Sequence, residues 1–225
     1  MNMLLMEKTV LITGASKGIG EQTAYKFAEA GFNLILSYNK DEKNAKRITE
    51  KCKSLGSSNI MVFQLDLTSE KSIKSTFKKV SEKYKNIDIL INNAGVVIWK
   101  PLKKQTFKEI DSQININILG LIKLTKLFLP IIKSSIINIS STAGKTGYEE
   151  LVPYCASKFG VRGFTQALSK ETSLLILSIN PGMTSTQMTN FQGVSPEKVA
   201  DIIFRASLNK YNKPSGSDID VPEYL

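Results

Sequence analysis

The stretch Thr13-Gly14-Ala15-Ser16-Lys17-Gly18-Ile19-Gly20 decides the fold, because it places three glycines between a short apolar run and a longer amphipathic run. Glycines at such positions allow a tight turn, a close approach of backbone to a phosphate, and tight packing of a helix on a strand. The helix that begins here offers unpaired N–H groups and a partial positive charge at its amino end. A glycine-rich loop between a strand and a helix therefore predicts a nucleotide-binding site.

Short apolar runs alternate with longer amphipathic runs along almost the whole chain. The predicted strands are Thr9–Thr13, Asn33–Ser37, Ile60–Leu65, Ile87–Ile91, Ser135–Ser140, Leu174–Ile179 and, with a weaker pattern, Asp218–Val221. The predicted helices are Gly18–Ala30, Glu42–Leu55, Glu70–Tyr84, Thr106–Ile132, Tyr154–Glu171 and Pro196–Leu208. Strands that are apolar on both faces, each followed by a helix, indicate a parallel sheet covered on both sides. The predicted fold class is α/β: a single Rossmann-type, doubly wound domain over residues 1–225, with about seven strands.

Composition restricts the chemistry available to this chain of 225 residues. It contains no histidine, which excludes Ser-His-Asp and Cys-His mechanisms and every histidine metal site. The two cysteines, Cys52 and Cys155, lack metal-ligand spacing and are expected to be reduced thiols. Proton transfer must then depend on Tyr, Lys, Asp, Glu or Cys, and no metal is expected.

The formal net charge is +10, but only three of the 30 basic residues are arginines. We interpret most of the lysines as solvated helix faces; the alternative is attraction of an anionic cofactor or an acidic partner. No basic stretch is interleaved with aromatic residues, so nucleic-acid binding is not expected. No uninterrupted run of eighteen apolar residues exists, and the residues before Gly14 lack a signal-peptide pattern. We therefore expect a cytoplasmic protein without membrane contact.

Apolar residues nearly encircle the predicted helix between Ile114 and Ile132, which predicts burial on more than one side. Core burial alone could explain this pattern. We favour a helix-on-helix subunit contact, and expect a homodimer or homotetramer formed through helices 106–132 and 154–171.

Further motifs follow the glycine loop in a fixed order. They are Asp66-Leu67 after the third predicted strand, Asn92-Asn93-Ala94-Gly95 after the fourth, Ser141 after the fifth, Tyr154-x-x-x-Lys158, and Pro181-Gly182 with Thr184 and Thr186 after the sixth. With the glycine spacing G-x-x-x-G-x-G, this set resembles the short-chain dehydrogenase/reductase family over roughly residues 7–186. The resemblance implies an NAD(P)-dependent oxidoreductase acting on alcohol and carbonyl groups, most similar in its motifs to 3-oxoacyl-acyl-carrier-protein reductases.

The resemblance also implies a cofactor site. The end of the second predicted strand adds Asn39 and Lys40 to this site. An NAD enzyme needs a carboxylate at the tip of that strand, yet the strand ends Ser37-Tyr38-Asn39-Lys40. Asp41 and Glu42 come later and are expected to start the next helix. Lys17, Asn39 and Lys40 would suit a 2′-phosphate, and we expect NADP(H) rather than NAD(H). The expected cofactor-binding residues are Gly14, Ser16, Lys17, Gly18, Ile19, Gly20, Asn39, Lys40, Asp66, Leu67, Asn93, Ala94, Gly95, Tyr154, Lys158, Pro181, Gly182, Thr184 and Thr186. For Asp66, a role as the acid that starts a helix is the alternative.

Tyr154 and Lys158 lie four residues apart, so on a helix they share a face. A free phenol has a pKa near 10, and a neighbouring ammonium together with the positive nicotinamide ring of an oxidised cofactor is expected to lower it. Tyr154 could then protonate a carbonyl oxygen that Ser141 holds by a hydrogen bond. The resemblance adds two roles: Lys158 binds the nicotinamide ribose, and Asn117 holds a water in a proton relay. Ser140 and Asn115 are the alternatives to Ser141 and Asn117.

Two segments depart from the family pattern. The substrate loop near 183–195 is short, which predicts an open cleft, and the C-terminal Gly216-Ser217-Asp218-Ile219-Asp220-Val221 lacks the common Val-Asp-Gly-Gly ending. The expected activity is NADPH-dependent reduction of a ketone or a 3-oxoacyl group, either free or carrier-bound, with small ketones, aldehydes and pterin-like carbonyls as further substrates. The alternative is a catalytically silent NADP-binding sensor or scaffold.

Overall fold

A computed structural model describes residues 8–225 of the chain. Expectations about the first seven residues, including the missing signal-peptide pattern and the first part of the domain, lie outside the described residues. Seven parallel strands form one sheet in the order β3-β2-β1-β4-β5-β6-β7. They are β1 (Thr9–Ile12), β2 (Asn33–Tyr38), β3 (Ile60–Gln64), β4 (Ile87–Asn92), β5 (Ile132–Ile139), β6 (Leu175–Asn180) and β7 (Asp218–Asp220). The order reverses between β1 and β4, the point at which doubly wound sheets form their ligand clefts.

Seven helices cover both faces of the described sheet. They are α1 (Gly18–Glu29), α2 (Glu42–Leu55), α3 (Glu70–Lys83), α4 (Phe107–Ile114), α5 (Leu121–Phe128), α6 (Val152–Leu168) and α7 (Pro196–Ser207). Alternate residues of β1 serve opposite faces, since Val10 and Ile12 pack with α1, α2 and α7 whereas Leu11 packs with α3, α5 and α6. The sheet therefore carries one buried hydrophobic cluster on each face. This arrangement confirms the predicted Rossmann-type α/β fold.

The long helix predicted over Thr106–Ile132 is interrupted. Thr106 caps α4 with Glu109 in a capping box, and a π-helical turn at Asn115–Gly120 then separates α4 from α5. A short 3₁₀ turn containing Pro130 ends the helical run, and β5 begins at Ile132, three residues before the predicted start. The prediction missed the π-helical turn because such a turn leaves the apolar pattern of the helix nearly unchanged.

The helical run Phe107–Ile131 corrects the expectation that no segment of the chain is long and apolar enough to cross a membrane. Its length and composition would allow it to cross a membrane, with a mean hydropathy of 1.5 in its most apolar window. In the fold, however, Leu124 and Phe128 pack against the sheet and are fully buried. The run is therefore one of the helical layers of this domain.

Candidate active site

The turn after β4 locks the glycine loop in place. The Asn93 amide nitrogen donates to the carbonyl oxygens of Thr13 and Gly14 at 2.9 and 3.1 Å. The backbone N–H groups of Asn93 and Ala94 both donate to the Thr13 hydroxyl at 3.0 Å. A Cβ on Gly20 would lie 2.4 Å from the Gly14 carbonyl oxygen, so only glycine fits there. The glycine loop and the turn after β4, which are distant in sequence, are thus held together by hydrogen bonds and close packing.

The amino end of α1 fits a pyrophosphate. The helix begins at Gly18, which has a left-handed φ of 57°, and no side chain among residues 8–225 caps its first turn. The free N–H groups and the helix dipole attract anions, and Ser16, Lys17, Gly18 and Ile19 surround that end. The residues present therefore suit the diphosphate of a dinucleotide, as the loop sequence predicts.

The carboxyl end of β2 carries the residues predicted for the 2′-phosphate. The strand extends to Tyr38, and Asn39 and Lys40 follow it in exposed positions. Asp41 caps α2 by accepting a hydrogen bond from Asn44 N at 3.1 Å, as predicted for an acid at a helix start. Hydrogen bonds from Asn44, followed by the charge of Lys17, lower the pKa of the Asp41 carboxyl. Asp41 is thus engaged in its own helix cap.

Asp66 lies after the end of β3, in the turn that leads to α3. Its carboxylate accepts hydrogen bonds from the Thr68 backbone N–H at 2.9 Å and the Thr68 hydroxyl at 2.7 Å. Ser69, rather than Asp66, caps α3, so the alternative role of Asp66 as the acid at the helix start is wrong. Leu67 is buried where Gly120 of the π-helical turn approaches it. Their contacts with an adenine ring stay predictions.

Helix α6 brings the two central side chains together. Tyr154 lies in its first turn, and the Lys158 ammonium nitrogen is 5.6 Å from the centre of the Tyr154 ring. Lys158 is buried, and its Nζ donates to the Ile139 carbonyl oxygen at 2.8 Å. Ser141 follows β5; its hydroxyl donates to the Pro181 carbonyl oxygen at 3.5 Å and lies near enough to the Tyr154 phenol to oppose the rise in its pKa. The predicted Ser141, Tyr154 and Lys158 therefore converge at the carboxyl edge of the sheet.

Burial determines the proton affinities of this pair. It raises the pKa of Tyr154 to about 12, although the hydrogen bond with Ser141 acts in the opposite direction. Burial also lowers the pKa of Lys158 to about 8. In the protein alone the Tyr154 pKa is therefore raised rather than lowered, because desolvation outweighs the opposing effect of Ser141. At neutral pH the phenol holds a proton that it can donate.

Asn117 joins the same site through the π-helical turn. Its Oδ1 accepts from Val96 N at 2.8 Å, and its Nδ2 donates to Val96 O at 2.9 Å and to the Ser157 hydroxyl at 3.1 Å. A Cβ on Gly95 would lie 3.3 Å from Asn117 Oδ1 and 3.6 Å from Lys158 Nζ, so both side chains converge there. These contacts favour Asn117 over its alternative, Asn115.

Ser140 has a different task from Ser141. Its hydroxyl donates to the Lys158 carbonyl oxygen at 2.9 Å, which fixes α6 against β5. Ser157, which the sequence analysis did not identify, donates to the Tyr154 carbonyl oxygen at 2.7 Å while accepting from Asn117. Ser157 directly precedes Lys158 on the helix that carries Tyr154, and this position could have indicated a place in the site.

The loop Met183–Val194 follows Pro181-Gly182 and borders the cleft that was predicted to be open. Thr184 pairs with Val194, and a Cβ on Gly18 would lie 3.1 Å from Thr186 Cγ2, so the loop lies over the glycine loop. On the other side, Trp99 Nε1 donates to the Met188 carbonyl oxygen at 3.2 Å. The loop is short, as predicted, yet it contacts both sides of the cleft.

Comparisons with known proteins identify the family of this chain. The sequence model described as short chain dehydrogenase matches residues 8–195. The chain belongs to the short-chain dehydrogenase family. It is 31% identical to the NADP-dependent 3-hydroxy acid dehydrogenase of Schizosaccharomyces pombe, over 91% of this chain and 88% of that protein. It is 32% identical to the 3-oxoacyl-acyl-carrier-protein reductase FabG of Thermotoga maritima, over 94% of this chain and 87% of that protein.

A solved structure has the same fold as this short-chain dehydrogenase and matches it over almost the full length of both chains. A short chain dehydrogenase of Shigella flexneri, crystallised with NADP, superimposes with a TM-score of 0.89 at 25% identity and covers 96% of this chain and 97% of its own. The family membership that the motifs indicate is therefore confirmed, and with it an oxidoreductase acting on CH–OH and C=O groups.

Changing Gly20 to Ala should abolish tight dinucleotide binding, because the new methyl group would overlap the Gly14 carbonyl oxygen and the Asn93 amide. We expect the NADPH dissociation constant, measured by calorimetry, to rise by about 100-fold or more. Gly147→Ala is the matched control, since a Cβ there meets nothing within 4 Å. Equal NADPH affinity in the two variants would contradict the role assigned to the glycine loop.

Proposed function

We propose that this short-chain dehydrogenase reduces a carbonyl compound to an alcohol with NADPH. The observation that carries the proposal is the convergence of Ser141 and the half-buried Tyr154 at the carboxyl edge of the sheet, with the buried Lys158 ammonium 5.6 Å from the centre of the Tyr154 ring. When bound, the dinucleotide supplies the hydride that adds to the carbonyl carbon.

The side chains of the chain supply the proton and the alignment. Ser141 would hold the carbonyl oxygen by a hydrogen bond and stabilise the negative charge that develops on it. Tyr154 would donate its hydroxyl proton to that oxygen, so that one C–H and one O–H bond form while the C=O π bond breaks. Lys158 would stabilise the resulting phenolate, and Asn117 would hold the water that begins reprotonation.

The substrate class remains part of the proposal. The relative from Schizosaccharomyces pombe is named for 3-hydroxy acids, and the one from Thermotoga maritima for 3-oxoacyl groups on a carrier protein. Both names concern an oxygen-bearing carbon of an acyl compound, which supports a ketone or a 3-oxoacyl group here. We also propose a cytoplasmic location, because Cys52 and Cys155 are both free and buried. Recovery of the protein from an oxidising compartment would contradict it.

Tyr154→Phe should lower ketone reduction by about 100-fold or more, since a positioned proton donor contributes that much or more to the rate. The loss of NADPH absorbance with a panel of ketones is the measurement. Tyr84→Phe is the control, because the Tyr84 hydroxyl is buried without a hydrogen-bond partner in the described chain and lies outside the site.

Two results would oppose this mechanism. Equal turnover by the two variants would remove Tyr154 from the reaction. Tight NADPH binding without turnover of any ketone would instead favour the silent sensor or scaffold.

We propose NADP(H) as the preferred cofactor, because Lys17 and the exposed Asn39 and Lys40 lie at the end where a 2′-phosphate would bind. Lys17 Nζ donates to Gln187 Oε1 at 3.1 Å, which holds this cation beside the glycine loop. The Shigella flexneri relative was crystallised with NADP, which agrees with this assignment.

Lys17→Ala should therefore weaken NADPH binding by about 10-fold or more, as expected for the loss of a charge-assisted hydrogen bond, while NADH binding changes little. Calorimetric titration of both nucleotides provides the comparison. Lys78→Ala removes an exposed lysine from α3 and serves as the charge-matched control. A similar loss for NADH and NADPH would show that Lys17 does not recognise the 2′-phosphate.

We further propose a homodimer or homotetramer formed through the helices 106–132 and 154–171. Gly160 of α6 comes close to Ile118 of the π-helical turn, and the neighbouring Leu119 and Phe159 are both exposed. These two apolar side chains, together with Val152, form an apolar face suited to helix-on-helix contact.

Phe159→Glu should shift the protein from an oligomer to a monomer, because a charge would be buried without a partner in the subunit contact. Sedimentation velocity measures the change. Leu102→Glu, at an equally exposed apolar position outside these helices, should leave the mass unchanged. A wild-type protein that sediments as a monomer would overturn the proposal.

A further inference from the structure

We infer that the mouth of the catalytic cleft binds an extended apolar group, and that Trp99 is a specificity-determining residue that selects carbonyl substrates carrying such a group. This inference rests on the proposed function and deepens it, since it names the chemical class of the substrate. It also distinguishes among the substrates considered above.

Exposed apolar side chains border the site from two loops. Trp99 follows β4, and Met183, Met188 and Phe191 lie in the loop after β6; these side chains are 42–67% exposed. Single apolar residues on a surface are ordinary, but a group of them beside a catalytic site marks a binding surface. The bond from Trp99 Nε1 to Met188 O places the two loops together at 3.2 Å.

Phe191 is held outward at a conformational cost. Its φ of 61° lies in the left-handed region, which bulky residues rarely adopt. Two hydrogen bonds fix it there: its N–H donates to Thr186 O, and its carbonyl oxygen accepts from the Ser185 hydroxyl, both at 2.8 Å. Backbone strain of this kind concentrates at functional sites, and here it keeps an aromatic ring exposed.

An apolar wall connects the mouth with the reacting groups. The Tyr154 ring packs in a small cluster with Val97, Ala143, Leu151 and Cys155. Val97 and Trp99 belong to the same segment after β4, which therefore joins the Tyr154 cluster at Val97 and contacts the Met188 loop at Trp99. A substrate whose carbonyl oxygen reaches Tyr154 therefore has apolar surface available on this side of the carbonyl.

The chemistry of these side chains favours a chain or a fused ring system over a polar ring. Tryptophan offers a large flat apolar face, and methionine adapts to irregular apolar shapes. A pterin-like carbonyl would gain less from such a surface, because these apolar side chains offer its polar ring edges little hydrogen bonding. The assigned occupant is therefore the apolar part of a ketone or acyl substrate.

The first test compares NADPH-dependent reduction of 2-decanone and 2-butanone. We expect the wild-type protein to favour 2-decanone in kcat/KM by about 10-fold or more, because each buried methylene adds affinity. Trp99→Ala should reduce that ratio about 10-fold, whereas Trp99→Phe, which keeps an apolar ring, should preserve most of it. Phe107→Ala, which removes an exposed aromatic from the start of α4, should leave the ratio unchanged. No preference in the wild type, or the same ratio in Trp99→Ala, would overturn the inference.

The second test does not depend on turnover. Trp99 is the only tryptophan of the chain, so its fluorescence reports on the cleft mouth alone. In the Tyr154→Phe protein with NADPH bound, 2-decanone should change this emission saturably, and 2-butanone at the same concentration should not. Saturable binding without turnover by the wild type would reject the proposed function and keep the inference. Turnover of both ketones without any emission change would reject the inference and keep the function.

Discussion

The burial of one cationic side chain organises the catalytic end of this molecule. Lys158 lies under the Tyr154 ring, and its ammonium donates to the Ile139 carbonyl oxygen at the end of β5. A buried charge is costly unless hydrogen bonds compensate for lost hydration, and this desolvation lowers the pKa of Lys158. The surrounding structure must therefore keep Lys158 Nζ within hydrogen-bond distance of the Ile139 carbonyl oxygen.

Several contacts serve that purpose. Ser140 donates to the Lys158 carbonyl oxygen, and a Cβ on Gly144 would lie 2.7 Å from the same oxygen, so α6 approaches the loop after β5 as closely as glycine allows. Beneath them, Asn92 donates to Thr125 and Asn138, and Asn138 in turn donates to Thr165. This buried polar network joins β4, β5, α5 and α6. The strand and the helix that hold the amine, β5 and α6, are therefore tied to the neighbouring elements as well as to each other.

Local patterns were sufficient to predict most of the fold and of the site. The Rossmann-type sheet follows from apolar alternation, and the glycine loop and the Tyr154–Lys158 spacing predict which side chains meet. What they could not predict depends on three-dimensional packing. The π-helical turn around Asn117 has no distinct sequence pattern, the Tyr154 pKa depends on burial, and the Trp99–Met188 contact joins residues 89 positions apart.

The departure of the C-terminus from the family pattern has a physical counterpart in the structure. Arg162 of α6 pairs with Asp218 and donates to the Gly144 carbonyl oxygen at 2.8 Å, while Lys145 pairs with Asp220. Asp218 and Asp220 are two residues apart on β7, so both carboxylates face the same side of the strand, where the Asn180 amide donates to each. The C-terminal strand thus anchors the loop that carries Ser141, through ion pairs. Neither ion pair involves the loop Met183–Val194, so this anchor does not depend on the length or the apolar content of that loop.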